Sequence, residues 1–414
     1  MISSNSVFND LKKDILIENG KIVEIADSIS ILGATEIVSD NLKVSIGWFD
    51  MSAKLSDPGI EHKEDIESGL KAAAKGGFTE IACLPNTKPV IQSKDNIHYL
   101  RSKSSSNVVE LHVIAAATEN LDGKSMTEVF DLNKAGAVAF SDGGYTISNS
   151  GLVVRLIQYL RQINGLLMLH SEEKSLTAHG VMNEGVTSVY LGQQGMPSIA
   201  EYMMVSRNID LLKYAQGKLH FNKISTAESV ELIRKAKQEG LNVTCDVAVV
   251  NLVFDETALL DFDTNFKTNP PLRTPEDLEA LWNGLADGTI DVIVTDHDPQ
   301  DEESKKLEFD LADFGMIQLE TAFSLLNQKY HGKISMEKLL NKFSTNPRQL
   351  LNLSVPQIEV GSVANLTVFD TEIEWLYTEK EGKSKSKNSP LFGQTLKGKA
   401  LAIFNKGQFV DLRN

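Results

Sequence analysis

The chain has 414 residues, 42% of them hydrophobic and 23% charged, which excludes a disordered protein and leaves room for one large α/β barrel with a smaller domain, or two or three ordinary domains. The formal net charge of −15 argues against nucleic acid or an anionic membrane as the main partner. No window approaches ~18 continuous apolar residues, the length a membrane span needs, and the first residues lack an apolar signal core, so a cytoplasmic protein is expected.

Taken in chain order, residues 1–45 open with "DILIENGKIVEIADS", a hairpin pattern turning at Asn19-Gly20. The first strand of a longer series follows in "SIGWFDMSAKL". It contains Ser52 and Lys54, two apart and therefore on one face of a strand. A His-x-His at that place would hold a metal. The strand candidates then continue with "FTEIACLPN", "VELHVIAAAT", "AVAFSDGG", "GLLMLHSEE", "KLHFNKIST", "LNVTCDVAV" and "DVIVTDHDP". Helical segments separate them, such as "STAESVELIRKAKQEG" with its Ser/Thr start and Gly stop. Eight alternating units of this kind predict a (β/α)8 barrel over residues 46–352. Residues 353–414 return to β patterns, "IEVGSVANLTVFD" and "GKALAIFNKGQFVD". The two ends are expected to join into one small β-sandwich domain beside the barrel. The basic stretch "EKEGKSKSKNSP" (379–390) reads as a solvated loop. Cys83 and Cys245 both lie in apolar strand-like runs and are expected to be buried thiols.

Function in such a barrel gathers at the C-terminal ends of the strands. Those ends carry Ser52 and Lys54, Asn86 in "PNT", Asp142 in "SDGG", His170 in "HSEE", Lys223 in "NKIST", and Asp296 and His297 in "TDHDP". "KTNPPLR" (267–273) is a rigid loop after the seventh strand. His220 lies inside its strand and reads as a satisfied core residue. His62, His98, His112, His179 and His331 match no motif and read as structural or surface residues.

These segments, in this order, resemble the long-chain dihydroorotases of the amidohydrolase superfamily. The resemblance extends through "GMPSIAEYMMVSRNIDL", "FGMIQLETAFSLL" and "SKSKNSPLFGQTLKGKALAIFNKGQ". It implies a binuclear metal centre held by two His of strand 1, a bridging carboxylate, a His each from strands 5 and 6, and an Asp of strand 8 that shuttles a proton. An Arg after the first His pair would hold the substrate carboxylate. Carried onto this chain, the two strand-1 His positions are Ser52 and Lys54, the Arg position is Ser56, and the strand-6 His position is Lys223. The family's "SDDG" is "SDGG", with Gly143 for the second Asp, and its "TDHAPH" is "TDHDPQ", with Gln300 for the final His. His170, Asp296 and Asp142 remain as remnants of the metal set, Asp296 also as a vestige of the catalytic residue. Asn86, Asn269 and Gly315 of "DFG" match family substrate contacts.

Zinc sites need about three or four neutral or anionic donors, and an ammonium offers only donors to a cation it repels. The resemblance therefore implies a dihydroorotase-like barrel with a dismantled metal centre, no cofactor, and a structural role beside aspartate carbamoyltransferase in pyrimidine biosynthesis, in a homo- or hetero-oligomer. Two other readings stand beside it. One is a cyclic-amide hydrolase with a rewired, mononuclear or metal-free site, zinc being its cofactor if a metal is kept; the other is a small-molecule sensor. Lys54 and Lys223 are expected near Asp142 and Asp296, with at least one Lys–Asp contact. Lys54 or Arg273 could take over from the missing Arg.

Overall fold

The computed structural model describes residues 1–2, 6–330 and 332–413; His331 lies outside them. The chain starts with a hairpin, β1 (Asp14–Glu18) and β2 (Lys21–Ala26), followed by β3 (Leu42–Ile46). Asn19 and Gly20 both have positive φ, 49° and 76°, as a type I′ turn requires. The barrel strands follow: β4 (Trp48–Ala53), β5 (Phe78–Cys83), β6 (Glu110–Ala115), β7 (Ala137–Ser141) and β8 (Leu167–His170). After two short strands, β9 (Met182–Asn183) and β10 (Gly195–Met196), come β11 (Leu219–Asn222), β12 (Val243–Ala248) and β13 (Val292–Val294). The eight long ones pair in parallel in the order β13-β12-β11-β8-β7-β6-β5-β4. These are the eight strands read from the sequence.

The first and last strands meet through specific bonds. Thr295 donates to Asp50 from its backbone (2.9 Å) and its hydroxyl (2.6 Å), and Lys54 N–H donates to His297 O at 2.9 Å. The barrel is thereby nearly closed. Trp48, Phe49, Met51, Phe78, Phe140 and Phe221 are fully buried in its core. Local chemistry sets the outer helices. Pro275–Asp287 begins with Thr274 capping Asp277 N–H and a proline in the first turn, and ends at Gly288 with φ 88°. Ala227–Gln238 is capped by Thr226 and buries Val230, Ile233 and Ala236 on one face.

The ends of the chain join as expected. β14 (Leu366–Leu376) pairs antiparallel with β3 on one side and with β15 (Thr395–Asn405) on the other, and β16 (Gln408–Asp411) extends the sheet. The hairpin adds Ile22 to a small core with Ile46, Ile358, Ala364 and Leu366. Among the described residues Cys83 and Cys245 are free and buried, and no helix is long and apolar enough to cross a membrane.

Only part of the stretch 379–390 is the solvated loop expected: Glu379, Lys380 and Glu381 are exposed, but from Ser384 to Asn388 every second side chain is buried. Lys383, Lys385 and Lys387 point outward, while Ser384, Ser386 and Asn388 alternate inward and are buried. Ser384 Oγ donates to Glu64, Lys383 N–H to Glu320 (2.8 Å), and Asn388 Nδ2 to Asp298 O (3.0 Å). The segment is a strap from the β-domain to the barrel mouth. Its backbone N–H groups and Ser384 satisfy the carboxylates of Glu64 and Glu320, and Ser386 and Asn388 donate to barrel carbonyls, which composition alone disguises as solvation.

Candidate functional site

The C-terminal ends of the barrel strands place the candidate residues around one mouth. Lys223 follows β11 and Asp296 follows β13. Their Nζ and Oδ1 are 2.7 Å apart and both side chains are buried. Lys223 Nζ also donates to Asn269 O at 3.1 Å, and its backbone N–H donates to Asp246 at 2.6 Å. Both residues sit in the left-handed region, with φ of 54° and 50°, as does Ser56 at 58°. Such backbones cost roughly 1–3 kcal/mol for non-glycine residues and persist where the surroundings dictate them. Burial raises the Asp296 carboxyl above its usual range, and Lys223 and Lys54 only partly offset this.

Lys54 extends from the end of β4 and pairs with Asp298 at 2.5 Å. Burial pulls its ammonium down, but Asp298 and then Asp296 outweigh that and hold its pKa above the usual value. Gln300 Nε2 donates to the other Asp298 oxygen at 3.0 Å, and Lys63 Nζ donates to Gln300 Oε1 at 2.5 Å. Ser52 is buried and its Oγ has no partner among the described residues.

His170, at the end of β8, contacts Glu172 through Nε2 at 3.0 Å, while its Nδ1 has no partner among the described residues. Burial lowers its pKa despite Glu172, which favours the neutral imidazole. Glu172 also accepts from Lys174 (2.7 Å), Thr177 (2.5 Å) and Asn269 Nδ2 (3.1 Å). Burial pushes that carboxyl up, but His170, then Lys174 and Thr177, outweigh it and hold it far below its usual range.

Of the two carboxylates expected near the lysines, Asp296 makes the Lys–Asp contact and Asp142 is bonded elsewhere. It accepts from Ala117 N–H (3.1 Å), Thr118 N–H (2.9 Å) and Thr118 Oγ1 (2.5 Å), and burial pushes it up to about 6. It caps the loop after β6. Asn86 Nδ2 reaches Asp142 O at 3.4 Å. Gly143, with φ 62°, packs under Asn86; a Cβ there would lie 1.8 Å from Asn86 Oδ1. With Asn86 so placed, a side chain at 143 has no room. Gly315 packs against the Asp298 backbone, and Lys267 donates to Phe309, Ala312 and Asp310 carbonyls at 2.7, 2.6 and 3.0 Å, fixing that loop. Arg273 does not stand in for the missing Arg. It is buried, and donates to Ser225 Oγ, Asn183 Oδ1 and Met196 O at 3.0, 2.8 and 3.0 Å. His220 is satisfied by Thr244 and Asp246.

The dihydro-orotase-like family profile matches residues 42–229. The chain is 43% identical over 388 residues to a dihydroorotase of Thermoanaerobacter sp. (strain X514), covering 93% of this chain and 90% of that one. It is 42% identical over 406 residues to a dihydroorotase of Caldanaerobacter subterraneus subsp. tengcongensis, covering 97% and 94%. The chain belongs to the dihydroorotase family. An L-hydantoinase from Arthrobacter aurescens shares the fold, with a TM-score of 0.85 at 24% identity over 99% of this chain and 94% of that one.

The residues present do not fit the family's metal pair. Among the described residues no group of three or more His, Cys, Asp or Glu is placed to hold a metal ion. Of the remnants of that set, His170 is bonded to Glu172, Asp296 to an ammonium, and Asp142 is turned to Thr118. In the dihydroorotase frame two further residues matter that sequence reasoning passed over. Asp298 is the partner of Lys54; its signal was the charged residue in "TDHDPQ" where the family has Ala. Glu172 binds His170, and nothing in the pattern "HSEE" separates it from an exposed acid.

Proposed function

We propose that the chain is a dihydroorotase-like protein of pyrimidine biosynthesis that does not hydrolyse the ring itself and serves as a structural partner of aspartate carbamoyltransferase. The observation that supports this is the donor set. Metal-activated water needs about three protein ligands per catalytic zinc, and the mouth offers ammonium groups at two ligand positions. Ser56 in place of the arginine also removes the bidentate fork for a carboxylate. The test is to assay purified protein for interconversion of dihydroorotate and carbamoyl aspartate, with and without added zinc, and to measure its binding to the same organism's transcarbamoylase. No turnover together with a stable complex is expected.

A second reading is an active cyclic-amide hydrolase taking dihydroorotate to carbamoyl aspartate, with zinc if a metal is involved. The names of the relatives at 43% and 42% identity favour it, as does the buried His170, whose Nδ1 has no partner among the described residues. Turnover that survives repurification and disappears in Asp296→Asn would establish it. Binding of a pyrimidine ring compound without turnover would instead favour a sensor.

A further inference from the structure

Four of the departures from the family's motifs carry charged or amide side chains in the mouth: Lys54, Lys223, Asp298 and Gln300. They are not scattered. Lys54, Asp298 and Gln300 form one bonded unit, Lys54 Nζ to one Asp298 oxygen at 2.5 Å and Gln300 Nε2 to the other at 3.0 Å. Lys63 and Asn388 hold this unit from outside, through Gln300 Oε1 (2.5 Å) and the Asp298 carbonyl (3.0 Å). Lys223 forms the second unit with Asp296, the carboxylate that the resemblance assigns to a metal. The two units are neighbours, because Asp296 and Asp298 stand two residues apart just after β13. The side chains thus run as alternating charges, Asp298, Lys54, Asp296, Lys223.

We propose that Lys54 and Lys223 are built-in cations that take the place of the family's two divalent metal ions, with Asp298 as the added counter-charge that makes the exchange possible. An Asp296 carboxylate buried without a cation would be strongly penalised. The Lys223 ammonium supplies that cation from the strand-6 position where a His ligand stood. Lys54 brings a second positive charge from strand 1, and Asp298 and Gln300 seat it. The ends of the first, sixth and eighth barrel strands are therefore tied together without metal. A divalent ion entering the mouth would meet two ammonium groups that present donors only. The inference deepens the non-hydrolytic reading above and rests on it.

The test uses the full chain. Elemental analysis after exposure to excess zinc and dialysis is expected to find well under one zinc per chain, and a chelator is expected to leave Tm unchanged. Lys223→Met is expected to lower Tm by several degrees, and Lys223→Met with Asp296→Asn to recover part of that loss. Lys54→Met and Lys54→Met with Asp298→Ala are expected to behave alike. The combined variant S52H/K54H/K223H/D298A is expected to gain chelator-sensitive zinc. If it fails to fold, the two pairwise cycles still decide. Stoichiometric zinc retained by the wild type, or double variants whose losses simply add, would overturn the proposal. Metal-free turnover of dihydroorotate would sink the non-hydrolytic reading while leaving the cycles to judge the ion pairs, so the two failures are distinguishable.

Discussion

Arg348 grips Glu80 with two nitrogens, Nε at 3.0 Å and Nη2 at 2.8 Å from the same carboxylate oxygen. Arg348 lies on the short helix Thr345–Leu350 after the barrel, and Glu80 on β5. Asn365 donates to that oxygen at 2.8 Å, and His112 contacts the other at 2.8 Å. One carboxylate therefore joins two barrel strands, the closing helix and the β-domain.

That junction predicts how the protein responds to acid. Burial pushes the Glu80 carboxyl up, but Arg348 and His112 outweigh it and hold it at about 2, from an ordinary 4.5. A carboxylate whose folded pKa is depressed adds stability that is fully present above the unfolded value and is lost as pH falls through the folded one. The shift corresponds to at most about 3 kcal/mol. Stability against denaturant is expected to fall as pH drops from ~4.5 to ~2, and Glu80→Gln is expected to flatten that part of the profile while lowering stability at pH 7. An unchanged acid limb in the variant would refute this.

Asp50 predicts the opposite slope. It is wholly buried, and burial lifts its carboxyl to about 6 despite the two bonds from Thr295. A raised carboxyl makes a contribution that is complete below the unfolded pKa and is lost as pH rises through the folded one. Asparagine keeps the geometry, accepting from Thr295 N–H and donating to Thr295 Oγ1. Asp50→Asn is therefore expected to be more stable than wild type at pH 8, by up to about 3 kcal/mol, and to show little advantage at pH 4. Equal stability at both pH values would show that Asp50 is not the group responsible.

Ligand binding follows from the fate of the candidate anchors. Lys54 is committed to Asp298 and Arg273 to Ser225, Asn183 and Met196. Calorimetry with dihydroorotate is expected to give a Kd no tighter than about 1 mM, the weak end of the scale for a few neutral hydrogen bonds. Lys54→Ala is expected to leave it unchanged. Micromolar binding lost in that variant would mean that the ammonium leaves Asp298 to hold the ligand.

The strap offers a fourth check. Asn388 donates to the Asp298 carbonyl at 3.0 Å and accepts from Gln300 N–H at 3.1 Å. Asn388→Ala leaves that buried N–H unsatisfied, which typically costs ~1–3 kcal/mol. Thermal unfolding is expected to register that loss, and Lys385→Ala on the outward face is expected to cost less. Equal effects would place the strap's contribution in its lysines.

Periodicity and local chemistry, read along the chain, were enough for the barrel, the eight strands, the hairpin at Asn19-Gly20 and the joining of the two ends. Each rests on spacing of apolar residues or on a backbone conformation that one or two residues dictate. The altered positions Ser52, Lys54, Ser56 and Lys223 were equally visible, because a missing ligand is a change of residue type. Partner choice needed the tertiary structure. Lys54 could have met Asp142 or Asp296, and it meets Asp298; Asp142 turns to Thr118; Arg273 is consumed below the mouth; the serine-lysine stretch is a buried strap. The physical reason is distance. Charges and hydrogen bonds act over a few ångströms, and these partners come from far apart in the chain, 244 residues for Lys54 and Asp298 and 320 for Ser384 and Glu64. Composition carries no record of which of several nearby carboxylates an ammonium will reach.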